Sequence, residues 1–167
     1  MLLKKHQMKV RLVQIYFQSH SSNNVLLEFW VLDSACSYHM TPKKDWFDTY
    51  KPYNGGMIQM GNDATCPVTG IGTMKIKMCD GVVRVLSNVR HIPDLRKNSI
   101  SLGVLDDLGY SSSSKGGIMK ITKGALMVMN VQKVSTLHKL IGNTAVGRVT
   151  VTTLIESSTD DTKLWHM

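Results

Sequence analysis

Cysteine is scarce in this chain. Cys36, Cys66 and Cys79 are widely spaced, odd in number and form no CxxC pair. That excludes a disulfide framework and a self-contained cysteine zinc site, and it fits a reducing compartment. No apolar run approaches the roughly 18 residues that a membrane-spanning helix needs. The opening MLLKKHQMKVRLVQIYF is basic, but Lys9, Arg11 and Gln14 interrupt it, so no secretory signal is expected. The expectation is a soluble, cytoplasmic protein with no membrane partner. Aromatic residues are sparse at 7%, and acids are outnumbered, 12 against 20 Lys and Arg, for a formal net charge of +8. Such an excess favours weak, non-specific association with nucleic acid. No long basic run concentrates it, however. Lys4 with Lys5 and Lys43 with Lys44 are the nearest approach to a cluster, and a solvated basic surface is the plainer reading. The histidines show no ligand spacing, and no metal or cofactor is expected.

The chain has 167 residues, 43% of them hydrophobic, enough for one small domain with tails. Residues 1–28 read as an N-terminal tail ending in the polar cluster Q-S-H-S-S-N-N at 18–24. The run FWVLD at 29–33 has the character of a buried strand ending on an acid. MIQM at 57–60 leads into Gly61, Asn62 and Asp63, a turn signal. Met74, Ile76 and Met78 alternate with Lys75 and Lys77 ahead of Asp80 and Gly81, a hairpin signature, and VVRVL at 82–86 supplies the return strand. Ile100 and Leu102 predict a short strand reaching Gly103. Val104, Leu105 and Leu108 then predict about two helical turns stopped by Gly109. Strands are expected at 118–121, 125–129 and 136–141. Residues 142–163, rich in Thr, Ser and small side chains, read as a flexible linker before LWHM at 164–167. Many short strands, regular turns and one short helix predict an all-β, barrel-like domain over residues 29–141, with flexible N- and C-terminal tails.

The chemistry concentrates in W-V-L-D-S-A-C-S-Y-H-M-T-P at residues 30–42. An acid closing an apolar strand and followed by small residues sits where a tight loop lets other groups approach it. Burial raises a carboxyl's pKa. Two carboxyls at close range share one proton, so that one acts as base on a water and the other as acid. Taken alone, Asp33 also reads as an ordinary strand-end aspartate.

The same stretch resembles the W-[IV]-L-D-S-G-[AC]-S-x-H-M-[TS] segment of copia-type LTR-retrotransposon Gag-Pol polyproteins, whose D-S-G corresponds to the signature of retroviral aspartic proteases. The likeness continues through Asp45, Trp46, Phe47 and Tyr50, and through Met60 to Asp63. It extends over the V-R-H-I-P-D-L stretch at 89–95 and over Asn98 to Gly103 with Leu105, Gly109 and Tyr110. It covers roughly residues 29–141 and implies a retropepsin-like β-barrel. In such a barrel Asp33 is the catalytic acid, supported in its loop by Ser34 and Ala35, and packed from beneath by Ile100, Leu102 and Gly103. Because the chain supplies one acid, the resemblance implies a homodimer, acting as an aspartic endopeptidase on the Gag-Pol polyprotein. A hairpin covering the substrate is implied too. Residues 57–66, with Gly61, Asn62 and Asp63, and residues 75–85, with Asp80 and Gly81, are the candidates, and the first is preferred because it follows Asp33 more closely.

One position departs from the pattern. Ala35 stands where the family has glycine, and a Cβ there costs about 1–2 kcal/mol if the backbone must adopt positive φ. The expectation is a retropepsin-like domain whose activity is impaired or lost, with a non-catalytic β-barrel relic and a basic nucleic-acid-associated module as alternatives. Residues 1–28 lack the cysteines of the family's Gag zinc knuckle. LWHM resembles the truncated start of its pre-integrase segment, where His166 alone falls short of the four ligands of a structural zinc site. His39 is expected to be a packed or hydrogen-bonded histidine, and Cys36 a buried, inert thiol.

Overall fold

The computed structural model describes residues 27–61 and 63–146. Residues 1–26 of the expected 1–28 tail, most of the linker, LWHM and Asn62 lie outside the described residues. The described residues form strands and one short α-helix. Eleven strands form one continuous sheet that curls around the core, and two more form a separate hairpin.

The FWVLD run produces β1, Trp30–Asp33, whose first three residues are buried. It lies inside the sheet, antiparallel to Leu137–Leu140 and parallel to Asn98–Ser101. After Asp33 the chain loops and returns as β2, Met40–Thr41, antiparallel to Asn98–Ser101 on its other side and parallel to Val83–His91. The strand Asn98–Ser101 therefore runs between the two strands that flank the 34–39 loop and pins both ends of it.

Lys44–Trp46 forms a 3-10 turn. Four strands follow: β3 at Thr49–Pro52, β4 at Met57–Gln59, β5 at Thr65–Pro67 and β6 at Gly70–Met78. Alternation in β6 sends Met74, Ile76 and Met78 inward and leaves Lys77 exposed, as the sequence predicts. Gly81, at φ +82°, turns the chain into β7, Val83–His91. The Asp80 carboxylate accepts from Val82 N at 3.0 Å and braces that turn. β3 borders one half of β6, where Gly72 permits close approach. A Cβ on Gly72 would strike the Thr49 carbonyl oxygen and lie 2.9 Å from the Phe47 ring. Gly72→Ala is expected to peel this mostly exposed edge strand away and cost about 1–2 kcal/mol, read as a lowered thermal midpoint.

β8 is Asn98–Ser101, and the helix α1 spans Leu102–Asp107. The strand therefore ends before Leu102 and Gly103, which are helical, contrary to the expectation of a strand reaching Gly103. The reason is Ser101, whose hydroxyl accepts from Val104 N and caps the helix. Gly109, at φ +87°, ends the turn as expected. β9 (Ser111–Lys115), β10 (Ile118–Lys123), β11 (Leu126–Val134) and β12 (Leu137–Leu140) complete a meander. β13, Gly142–Ala145, pairs with β6, so the sheet runs past residue 141 into the stretch read as linker. The Trp30 indole donates to Thr144 Oγ1 at 3.0 Å and ties this last strand to the first. The main core gathers Trp30, Leu32, Met74, Ile100 and Leu105, while Met40, Cys66, Val68, Ile92 and Leu95 form a second cluster. Among the described residues no helix is long and apolar enough to cross a membrane.

Candidate functional site

Asp33 is the last residue of β1 and stands in register with Ser101 of β8, as Leu32 does with Ile100. Its backbone is thereby fixed by a buried strand, while its side chain, 19% exposed, reaches a cleft. Ala35 N donates to its Oδ1 at 2.8 Å, closing the turn. Lys97 Nζ donates to its Oδ2 at 2.8 Å. Burial pushes the Asp33 carboxyl up. The Lys97 hydrogen bond, the Ala35 amide and the Lys97 charge together outweigh burial and hold it below its ordinary value of 3.8. The sequence expectation of a raised pKa is thus corrected: a partner 64 residues away supplies a counter-charge.

Ser34 and Ala35 are exposed on the loop. Ala35 is not among the residues with positive φ, which outside glycine are Asp63, Asn88 and Ser135. The backbone penalty expected for a Cβ at this position therefore does not arise.

Ser101 holds the loop from below. Its hydroxyl donates to Cys36 O at 2.7 Å and accepts from Val104 N at 3.2 Å, and its own N–H donates to His39 Nδ1 at 3.0 Å. One buried serine thus joins the acid loop, the helix start and the histidine. Ser101→Ala is expected to cost about 2 kcal/mol, because it leaves two partly buried backbone partners unmatched. Ser101→Thr, which keeps the hydroxyl, should recover part of that in a urea titration. His39 is fully buried, and burial, followed by the nearby Arg90 charge, lowers its pKa from 6.5 to about 3. It is a neutral, packed histidine, as the sequence suggests. Cys36 is half-buried rather than buried. Its Sγ lies 3.5 Å from Asp33 O, and burial followed by the Asp33 charge raises its pKa to about 11, so the thiol is unreactive.

The support expected from beneath is divided. Ile100 is fully buried under the loop. Leu102 is half-buried, and Gly103 is exposed, where a Cβ would meet only Ser101 Oγ at 3.7 Å. Gly103 therefore does not pack beneath the acid; it is simply a first-turn helix residue.

β4 and β5 form a hairpin facing Asp33. Ile58 and Met60 pack on the second core cluster. Met60 N donates to Ala64 O at 2.7 Å and Asp63 N to Met60 O at 3.0 Å, closing the tip. A cavity of about 430 Å³ separates hairpin and loop, lined by Met57, Gln59 and Gly61 on one side and by Asp33, Tyr38 and Lys97 on the other. Asp33 is its only carboxylate among the described residues. The other candidate hairpin, at 75–85, does not line this cavity, and its Asp80 carboxylate is engaged by Arg84 at 3.3 Å. Gly61 and Asp63 are thus on the hairpin opposite the acid, and Asn62 lies outside the described residues. Among the described residues no three His, Cys, Asp or Glu side chains gather as a metal site would require.

Two residues of this site escape sequence reasoning. Ser101 carries a weak signal, a serine just ahead of a helical run. Lys97 carries none.

Comparison with known proteins bears on the same segment. The family model described as Pol polyprotein, beta-barrel domain, matches residues 30–110. The chain is 37% identical over 137 residues to the retrovirus-related Pol polyprotein from transposon TNT 1-94 of Nicotiana tabacum, an alignment covering 82% of this chain and 10% of that protein. It is 29% identical over 84 residues to the retrovirus-related Pol polyprotein from transposon RE1 of Arabidopsis thaliana, covering 50% of this chain and 5% of that one. The chain therefore corresponds to a small part of the length of these relatives. No solved structure matches it.

Proposed function

Residues 30–110 belong to the β-barrel domain of retrotransposon Pol polyproteins, and from that premise we propose that the domain is an aspartic endopeptidase that processes its Gag-Pol polyprotein as a homodimer. One observation carries the reading. A single partly buried carboxylate, Asp33, closes a strand at the floor of a cleft that a hairpin covers. A lone carboxylate can act as base on a water but has no acid beside it for the leaving amine. A second copy of the loop supplies that acid, and the pair then shares one proton. The cleft, about 430 Å³, has room for a side chain of an extended peptide between the hairpin and the acid loop. Tyr38 at its rim is held by the Arg90 guanidinium, 4.2 Å from the ring.

A second reading has its own observation. The Lys97 ammonium on Asp33 keeps that carboxylate ionised, and an acid that cannot share a proton does no peptide hydrolysis. This favours a non-catalytic β-barrel. Ala35 no longer argues for inactivity through backbone strain. What remains of that argument is the room its Cβ takes beside a second copy's loop.

The test is cleavage of a peptide spanning a polyprotein junction, at mildly acidic pH, by a protein whose dimerisation is followed by sedimentation. The expected result is cleavage that Asp33→Asn reduces by at least about 1,000-fold without changing the fold. A dimer that cleaves nothing, or cleavage that survives Asp33→Asn, overturns the peptidase reading.

A further inference from the structure

Both oxygens of the Asp33 carboxylate are occupied. The Ala35 amide takes Oδ1 from within the loop, at 2.8 Å and two residues away in sequence. Oδ2 points to the Lys97 ammonium, at 2.8 Å. Lys97 and Asp33 both line the cavity, so Oδ2 is the oxygen that a water, a substrate or a second carboxylate must reach from the cleft, and Lys97 already holds it.

The lysine is placed for this by its backbone. It is the residue immediately before β8, after a turn closed by Leu95 N donating to Ile92 O at 3.1 Å. Because β8 runs parallel to β1, the start of β8 and the end of β1 lie at opposite ends of their pairing. Only a long side chain spans that offset. The stem that reaches across is 33% exposed, so it can swing into solvent without disturbing the core. Its head group gains an ion pair that is partly screened by water, a modest and reversible interaction.

We propose, resting on the peptidase reading above, that Lys97 is an intramolecular lock on the acid, occupying Asp33 Oδ2 in the single chain and leaving it only when a second copy or substrate fills the cleft. The lock makes pairing of the two acids conditional on displacing the lysine, so that contact between two copies is not by itself enough to bring the carboxylates together. The ionisable groups around Asp33 are compatible with it. Cys36 stays a thiol, His39 is neutral, and the hairpin segment Met57–Gln59 facing the acid has no ionisable side chain.

The test separates access to Oδ2 from peptidase activity. An epoxide probe esterifies an accessible ionised carboxylate: the carboxylate oxygen attacks a ring carbon, the carbon–oxygen bond of the ring breaks, and the resulting alkoxide takes a proton from water. Labelling of Asp33 is followed by peptide mass mapping at about pH 7, roughly three units above the ordinary carboxyl range. Lys97→Met, which keeps length and removes charge, is expected to raise the labelling rate about tenfold or more, and Lys97→Arg to leave it near the wild-type rate. Junction-peptide cleavage should rise with it. An unchanged labelling rate in Lys97→Met overturns the lock, whether or not the peptide is cut. So does faster labelling accompanied by slower cleavage, which would make Lys97 a helper of the reaction. Faster labelling with no cleavage by wild type or either variant upholds the lock and overturns the peptidase reading beneath it.

Discussion

Acidifying the protein from neutral pH towards pH 3 is expected to remove several kcal/mol of folding stability, through His39. Its pKa falls from 6.5 to about 3 on folding. Between those values the unfolded chain binds a proton that the folded one refuses. Stability is therefore fully present above 6.5 and declines as pH drops, with a slope of up to about 1.4 kcal/mol per pH unit for one group. His91, also lowered, first by burial, adds a smaller push in the same direction. Asp33 acts lower still. Its depressed pKa stabilises the fold above its ordinary value of 3.8, and that contribution disappears as pH falls through the folded value. Urea midpoints measured across this range should fall steeply in the wild type. They should fall much less in His39→Gln, whose side-chain carbonyl can still accept from Ser101 N. A flat wild-type profile would mean that His39 opens to solvent at little cost. The consequence for function is direct. For the peptidase proposed above, which would favour mild acid, weakening of the fold there is expected to move the activity peak to the neutral side of what the acid pair alone would choose.

The second large effect is expected at Asn98. It is fully buried and makes three hydrogen bonds. Its Oδ1 accepts from Thr41 Oγ1 at 2.6 Å, and its Nδ2 donates to Leu27 O at 3.0 Å and Phe29 O at 3.1 Å. One amide thus ties the entry of β1, the start of β8 and the end of β2, the three strands that frame the acid loop. Asn98→Leu leaves two buried partners and the partly buried Leu27 carbonyl unmatched, at a cost of about 3 kcal/mol or more. Asn98→Asp is the sharper probe. It matches the side chain in volume but presents oxygen where two carbonyls need a donor, so it should be no better than Asn98→Leu near neutral pH. An aspartate variant as stable as the wild type would show that shape alone, and not the donor pattern, holds this junction.

The sequence made much of this fold legible, for identifiable reasons. Met74, Ile76 and Met78 alternate with lysines, so β6 announces itself, and Asp80 with Gly81 marks the turn into β7. β1 was readable because an apolar run ended on an acid. Four strands escape such a reading: β2, whose two residues are too few to show any period although it lies inside the sheet, and β3, β9 and β13, which lie at the sheet's margins. Ser111 to Ser114 have no apolar face to alternate, and β9 exists because β10 offers it hydrogen bonds. The helix was found but placed too late, since the apolar residues advertise its middle and the serine cap sets its start. At the candidate site Asp33 and the hairpin candidate at 57–66 are both visible in the sequence, and the structure places them on opposite sides of one cavity. The Lys97 contact was not, because nothing local marks a lysine whose partner lies on another strand.

β1 sits between β8 and β12, and Leu32 lies opposite both Ile100 and His138. During synthesis, the first of the described strands to emerge must wait for nearly the last of them before it has both neighbours. The strand that carries Asp33 is therefore locked in place only once residues 137–140 have emerged, so the barrel closes around the carboxylate late, whatever the carboxylate does.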